Sequence, residues 1–183
     1  MKKALLLLFG LLMVGGATSV YWWVSRYDAL ILKQCEAYDL DFYLVKSLIW
    51  EESGFNPLAR GQDGEFGLMQ VMPYVGREFW AKAKGLDSDL YDPNLLLTPE
   101  HNIEVGCWYL RDSLDLYRER PDPLPYAIAR YNAGHSRVSR WMKNGIAESN
   151  STDFVQSIDF PETRAYVQRI IKRSERRSAI YLW

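Results

Sequence analysis

The sequence predicts a mainly α-helical domain behind an apolar N-terminal segment. Three observations lead there. Apolar residues recur at helical spacing between recognisable caps, strand signals are scarce, and an uncharged run extends from Ala4 to Val24. The 183 residues divide into residues 1–26, an N-terminal membrane anchor or signal peptide, and residues 27–183, a single helical domain.

Taken in order, the run from Ala4 to Val24 would span roughly 30 Å as a helix, about one bilayer core. Tyr21, Trp22 and Trp23 fall where an interfacial aromatic belt would lie, and Lys2 and Lys3 favour a cytoplasmic N-terminus with the remainder outside. Gly15 and Ala17 also suit a cleavage site, but the aromatic cluster after Ala17 favours an uncleaved anchor. Either way the domain sits outside the cytoplasm, in the cell envelope. Asp28 to Tyr38 reads as a first helix and Asp41 to Ser53 as a second, with Asp41 as cap and Phe42, Val45, Leu48 and Ile49 on one face. Gly54 and Asn56-Pro57 stop it. Leu58 to Glu65 is a polar loop, the place for any small hairpin. Gly67 to Met72, "GLMQVM", reads as a short apolar helical piece, and Tyr74 to Lys84 as a further helix. After a connection over Gly85 to Leu97, Thr98 and Pro99 open a long helix through about Tyr117. Pro121, Pro123 and Pro125 break the chain before Tyr126 to Asn132, Gly134 interrupts, and Val138 to Lys143 follows. Pro161 opens a last helix to about Arg177, carrying Arg164, Arg169, Lys172, Arg173, Arg176 and Arg177 as a solvated basic face.

Composition excludes several classes. A net charge of -1 provides no global attraction for nucleic acid. Two cysteines and two histidines give no metal-ligand spacing, and no cofactor motif occurs. Cys35 and Cys107 are either a disulfide of an oxidising compartment or two small buried residues. Seven tryptophans and twelve tyrosines fill an aromatic core, with a sugar-binding cleft as the alternative use of such rings.

The chemistry centres on "IWEESGFNP". Glu51 and Glu52 are separated by about 100° around a helix axis. Glu52 lies a turn from Leu48 and Ile49 at the edge of the apolar face, whereas Glu51 points toward solvent as an ordinary exposed acid. Burial of Glu52 would raise its pKa, and a carboxyl protonated near neutral pH is a general acid suited to glycosidic bonds.

Four segments then carry a resemblance. "ESGFNPLARGQDGEFGLMQVMP" resembles the first signature of the bacterial soluble lytic transglycosylase domain, and "NIEVGCWYLRD" from Asn102 its middle signature. "AIARYNAGHSRVSRW" resembles the third and "FPETRAYVQRI" the closing segment, so the likeness runs in order from about Leu40 to Ile171. It implies a lysozyme-like α-helical domain with at most a small β-hairpin and a long cleft for peptidoglycan glycan strands. It also implies cleavage of the β-1,4 bond between N-acetylmuramic acid and N-acetylglucosamine, leaving a 1,6-anhydromuramyl end. Glu52, directly before a serine, is the implied catalytic acid and then base, the nucleophile being the substrate's own C6 hydroxyl. One glutamate then suffices, and Asp63 and Glu65 remain loop acids rather than a second carboxylate of an ordinary hydrolase. The resemblance implies that Gln70 and Met72 line the cleft, with the amide able to donate and accept hydrogen bonds. It places Tyr131 beside Glu52, its hydroxyl orienting the acid or the muramyl acetamido group, with Asn132 and Gly134 shaping the adjoining backbone. Ser53 positions Glu52 or helps to end the helix. The implied partners are glycan strands, a membrane through the N-terminal helix, and cell-wall or secretion machinery. A lysozyme-type hydrolase and a non-catalytic peptidoglycan-binding or assembly module are the alternatives. The chain departs from the pattern at Gly61, where serine is usual, at Gly64-Glu65, often Gly-Ala, and at Tyr74, usually threonine.

Overall fold

The computed structural model describes residues 16, 18–143 and 151–176. Lys2, Lys3, most of the run from Ala4 including Gly15, as well as Ala17 and Arg177 lie outside the described residues. No helix among the described residues is long and apolar enough to cross a membrane.

Helical backbone at 18–25 leads into α1 (Asp28–Tyr38) and α2 (Phe42–Ser53). There follow α3 (Pro73–Lys82), α4 (Pro99–Leu116), α5 (Leu124–Ala133), α6 (His135–Lys143), α7 (Ser151–Ser157) and α8 (Pro161–Glu175). Two 3₁₀ turns, Ser88–Leu90 and Pro93–Leu97, lie in the connection before α4. There is no strand among the described residues; two antiparallel bridges, Arg60 with Phe66 and Phe66 with Val71, occupy the place of the expected hairpin.

Cap chemistry fixes the central helix. The Asp41 carboxylate accepts from the Leu44 N–H at 2.9 Å, satisfying an N-terminal donor that the helix leaves unpaired. At the other end Gly54 turns left-handed, φ +56°, and its N–H returns to the Trp50 carbonyl. Elsewhere the expectations need correcting. Thr98 is the N-cap of α4 as expected, its carbonyl accepting from Asn102 N at 3.0 Å, but its hydroxyl makes no cap bond and donates backward to Leu95 O. Pro125 lies inside the first turn of α5, where its missing N–H costs no helical bond. Gly67 to Met72 is a turn and not a helical piece: Gly67 at φ +74° and Gln70 at φ +45° reverse the chain so that Phe66 and Val71 pair.

The core gathers these elements around α2 and α4. The most extensive helix pairing is α2 with α8, followed by α4 with α5 and α1 with α4. Val45, Leu48 and Ile49 of α2 are buried against Val167 and Ile170 of α8, Ile103 and Leu110 of α4, and Ile128 of α5 in one continuous cluster. Phe55, Phe79, Tyr126, Trp141 and Phe154 are buried in it as well, and Trp50, Trp80, Trp108 and Tyr109 pack against it partly buried. Lys46, 1% exposed, is held by Asp28 of α1 at 2.6 Å. Cys35 and Cys107 are free buried thiols; burial, then the Asp41 charge, pushes Cys35 up to about 12, and burial holds Cys107 well above the usual thiol range.

Candidate active site

Glu52 occupies the last turn of α2, one residue before the helix ends. It opens onto a cleft of about 210 Å³ lined also by Glu65, Gln70, Met72, Tyr74 and Tyr131. Asp63, Asn132 to Gly134 and Arg137 complete its rim.

The glutamate pair separates as the helix phase demands, with one correction. Glu51 is no ordinary exposed acid: its side chain is only 10% exposed and accepts from Arg169 Nε at 2.9 Å and Arg173 at 2.5 Å. The basic face of α8 therefore includes two guanidinium groups that neutralise a carboxylate at the C-terminal end of α2, where the helix dipole alone would disfavour it. Among the described residues Glu52 has no cationic partner. Its carboxyl accepts a short hydrogen bond from the Tyr166 hydroxyl of α8. Burial is the largest influence on its proton and raises the pKa; the Tyr166 bond pulls it down, and the neighbouring Glu65 and Glu51 charges push it up. The outcome is a carboxyl pushed up to about 7, poised to give and take a proton near neutrality.

Tyr166 is the functional neighbour that sequence reasoning missed. It stood in the quoted closing segment, where Thr163, Tyr166, Val167 and Ile170 recur at helical spacing, but that spacing does not say which element the face meets. Tyr131 lines the cleft, but its hydroxyl donates to the Met69 carbonyl at 2.9 Å rather than to Glu52. Burial, with Glu52 close by, drives both phenols well above the ordinary range, so each remains a donor. The Ser53 hydroxyl lies within reach of Ile49 O in its own helix at 3.2 Å and donates to Leu68 O at 2.7 Å, tying the end of α2 to the turn.

That turn is held from below by Asn102 of α4. The fully buried amide donates to Phe66 O at 2.7 Å and Leu96 O at 2.8 Å and accepts from Met69 N at 2.7 Å. A side chain at Gly67 would meet the same amide, its Cβ only 2.5 Å from Asn102 Nδ2. Gln70 adopts a backbone rare for a non-glycine residue, and its Nε2 donates to Gly67 O at 2.8 Å, leaving Oε1 beside Gly61. Asn132 is exposed at the cleft, its side-chain carbonyl accepting from Thr163 Oγ1 at 2.7 Å. The described residues contain no group of three or more His, Cys, Asp or Glu side chains arranged to hold a metal ion.

Fold and site together define a helical domain organised around one protonatable carboxyl at a helix end. Residues 29–154 match the family model of the Transglycosylase SLT domain, and the chain belongs to that family. It is 32% identical over 145 residues to the soluble lytic murein transglycosylase of Salmonella typhimurium, which covers 79% of this chain and 22% of that protein. It is 36% identical over 118 residues to the membrane-bound lytic murein transglycosylase C of Actinobacillus pleuropneumoniae, covering 62% of this chain and 32% of the relative. Among solved structures it resembles the 70 kDa soluble lytic transglycosylase of Escherichia coli with a TM-score of 0.72 and 28% identity, over 81% of this chain and 23% of that one. A complex of the 70 kDa enzyme with bulgecin A gives 0.73 at 28% identity, over 82% and 24% of the two chains. The chain thus spans about a quarter or less of these soluble relatives.

Proposed function

We propose that this chain is a peptidoglycan lytic transglycosylase. It cleaves the β-1,4 bond between N-acetylmuramic acid and N-acetylglucosamine and leaves 1,6-anhydromuramyl ends. The observation that carries this reading is the Glu52 carboxyl, raised to about 7 by burial, without a cationic partner among the described residues, and opening onto a polar cleft.

In this reading Glu52 donates its proton to the glycosidic oxygen as the C1–O bond breaks. It then removes the proton of the muramyl C6 hydroxyl as that oxygen closes onto C1. A pKa near neutrality suits a group that is acid in one step and base in the next. Tyr166, donating to the carboxyl, stabilises the anion formed between the two steps. Gln70 Oε1, Met72, Tyr131 and Asn132 contact the glycan, and Ser53 acts through the backbone by holding the α2 end against the turn. The domain works in the cell envelope outside the cytoplasm, with residues 1–26 as its attachment to the membrane; the exposed rings of Tyr21, Trp22 and Trp23 support this placement.

Purified sacculi incubated with wild type and Glu52→Gln test the assignment. Release of soluble muropeptides falls by about a hundredfold or more in the variant, while sacculus binding persists. Binding without turnover by the wild type would assign the chain as a recognition module instead.

A further inference from the structure

The loop before the turn delivers a second carboxylate into the cleft. Gly61 N donates to Glu65 O at 2.9 Å, closing a tight loop, and Asp63 N donates to Glu65 Oε2 at 3.1 Å, folding the side chain back over Gly61. A Cβ built on Gly61 would stand 2.0 Å from Glu65 Oε2 and 2.9 Å from Gln70 Oε1. A side chain at position 61 would therefore require the Glu65 carboxylate to swing away, because that carboxylate occupies the place such a side chain would take. The two departures from the signature, Gly61 and Gly64-Glu65, meet at one point beside Gln70. Glu52 and Glu65 line the same cleft and are near enough for the Glu65 charge to act on the Glu52 proton. The other ionisable groups facing this space are Asp63, Tyr74, Tyr131 and Arg137.

We propose that Glu65 is a second catalytic carboxylate that draws water into the reaction, so that part of the cleaved bonds end hydrated rather than anhydro. This rests on Glu52 being the acid of the proposed function. A carboxylate is an acceptor with no proton of its own to offer, the property needed to orient and deprotonate a water; an amide can orient one but cannot take its proton. Paired carboxyls, one acid and one base, are the arrangement by which glycosidases add water. Here Glu52 protonates the leaving oxygen, the C1–O bond breaks, the water oxygen bonds to C1, and the water proton passes to Glu65. Solvent returns that proton to Glu52, and one water is consumed per bond. Water and the C6 hydroxyl then compete for the same anomeric carbon.

Digestion of sacculi by the full chain in heavy-oxygen water separates the two outcomes, because only hydrated muramic ends take up the label. Wild type yields both anhydro and labelled ends. Glu65→Gln lowers the labelled share by roughly tenfold while anhydro ends persist. Gly61→Ser combined with Glu65→Ala does the same, which guards against a folding defect peculiar to one variant. A wild-type digest without labelled ends, or a labelled share unchanged in both variants, overturns the assignment and leaves the anhydro reading standing. Failure of that reading shows separately, as anhydro release that survives Glu52→Gln.

Discussion

At the residue scale, the site turns on one proton. Burial alone would hold Glu52 protonated well above the usual carboxylate range, and the Tyr166 bond moderates it to about 7. Removing that bond in Tyr166→Phe takes away a stabilisation of the anion, so the pKa of Glu52 rises. The alkaline limb of the activity profile, where the acid is lost, then moves upward by about one pH unit, which a pH–rate series on sacculi measures. Helix phase alone distinguished Glu52 from Glu51 in the sequence. It did not show that Arg169 and Arg173 close over Glu51, because an ion pair between residues so far apart in the chain depends on how α8 lies across α2. For the same reason the phenol bonded to Glu52 was not legible. Tyr131 sits in the more distinctive motif, whereas Tyr166 reaches the acid only through helix packing.

At the scale of elements, the site is a junction of the α2 end, the Gly67 to Met72 turn and α8. Asn102 is the pin of that junction. Asn102→Ala removes a buried amide, takes the partner from the Met69 N–H and the Leu96 carbonyl, and leaves the Phe66 carbonyl with only the Val71 N–H. We expect a loss of about 3 kcal/mol in urea unfolding, with activity falling as the turn loosens. Most helices were legible because their ends carry local chemistry: Asp41, Gly54, Pro99 and Pro161 each stand where the sequence placed a boundary. The turn was misread as helix because six largely apolar residues carry too little periodicity to distinguish the two. What decides it is left-handed backbone at Gly67 and Gln70, and the latter is sustained by tertiary contacts rather than by residue type. The short α7 is too brief for helical periodicity to mark it, and its burial of Phe154 against the core is a tertiary effect.

At the scale of the whole molecule, the fold holds a high-pKa acid in place at a cost to its own stability. Folded Glu52 keeps its proton to about pH 7, whereas the unfolded chain releases it near 4.5. The folded state binds the extra proton between those values, so this stabilisation is complete below about 4.5 and is lost as pH rises through 7. Relative to Glu52→Gln, which has no such proton, wild type should weaken by about 2–3 kcal/mol from acidic to mildly alkaline buffer, read as the difference between paired urea titrations. The domain is also joined directly to its leading segment. The Trp23 indole donates to Gly54 O at 2.9 Å, and the Arg26 guanidinium, 3.6 Å above the Trp23 ring, donates to Phe55 O. Trp23 and Arg26 thus grip the backbone just beyond Glu52. The most direct test of the central claim is mass spectrometry of the muropeptides that wild type and Glu52→Gln release from purified sacculi. The account predicts anhydromuramyl ends from the wild type and almost none from the variant. New muramic ends that all carry an added water, or anhydro release undiminished by Glu52→Gln, would contradict it.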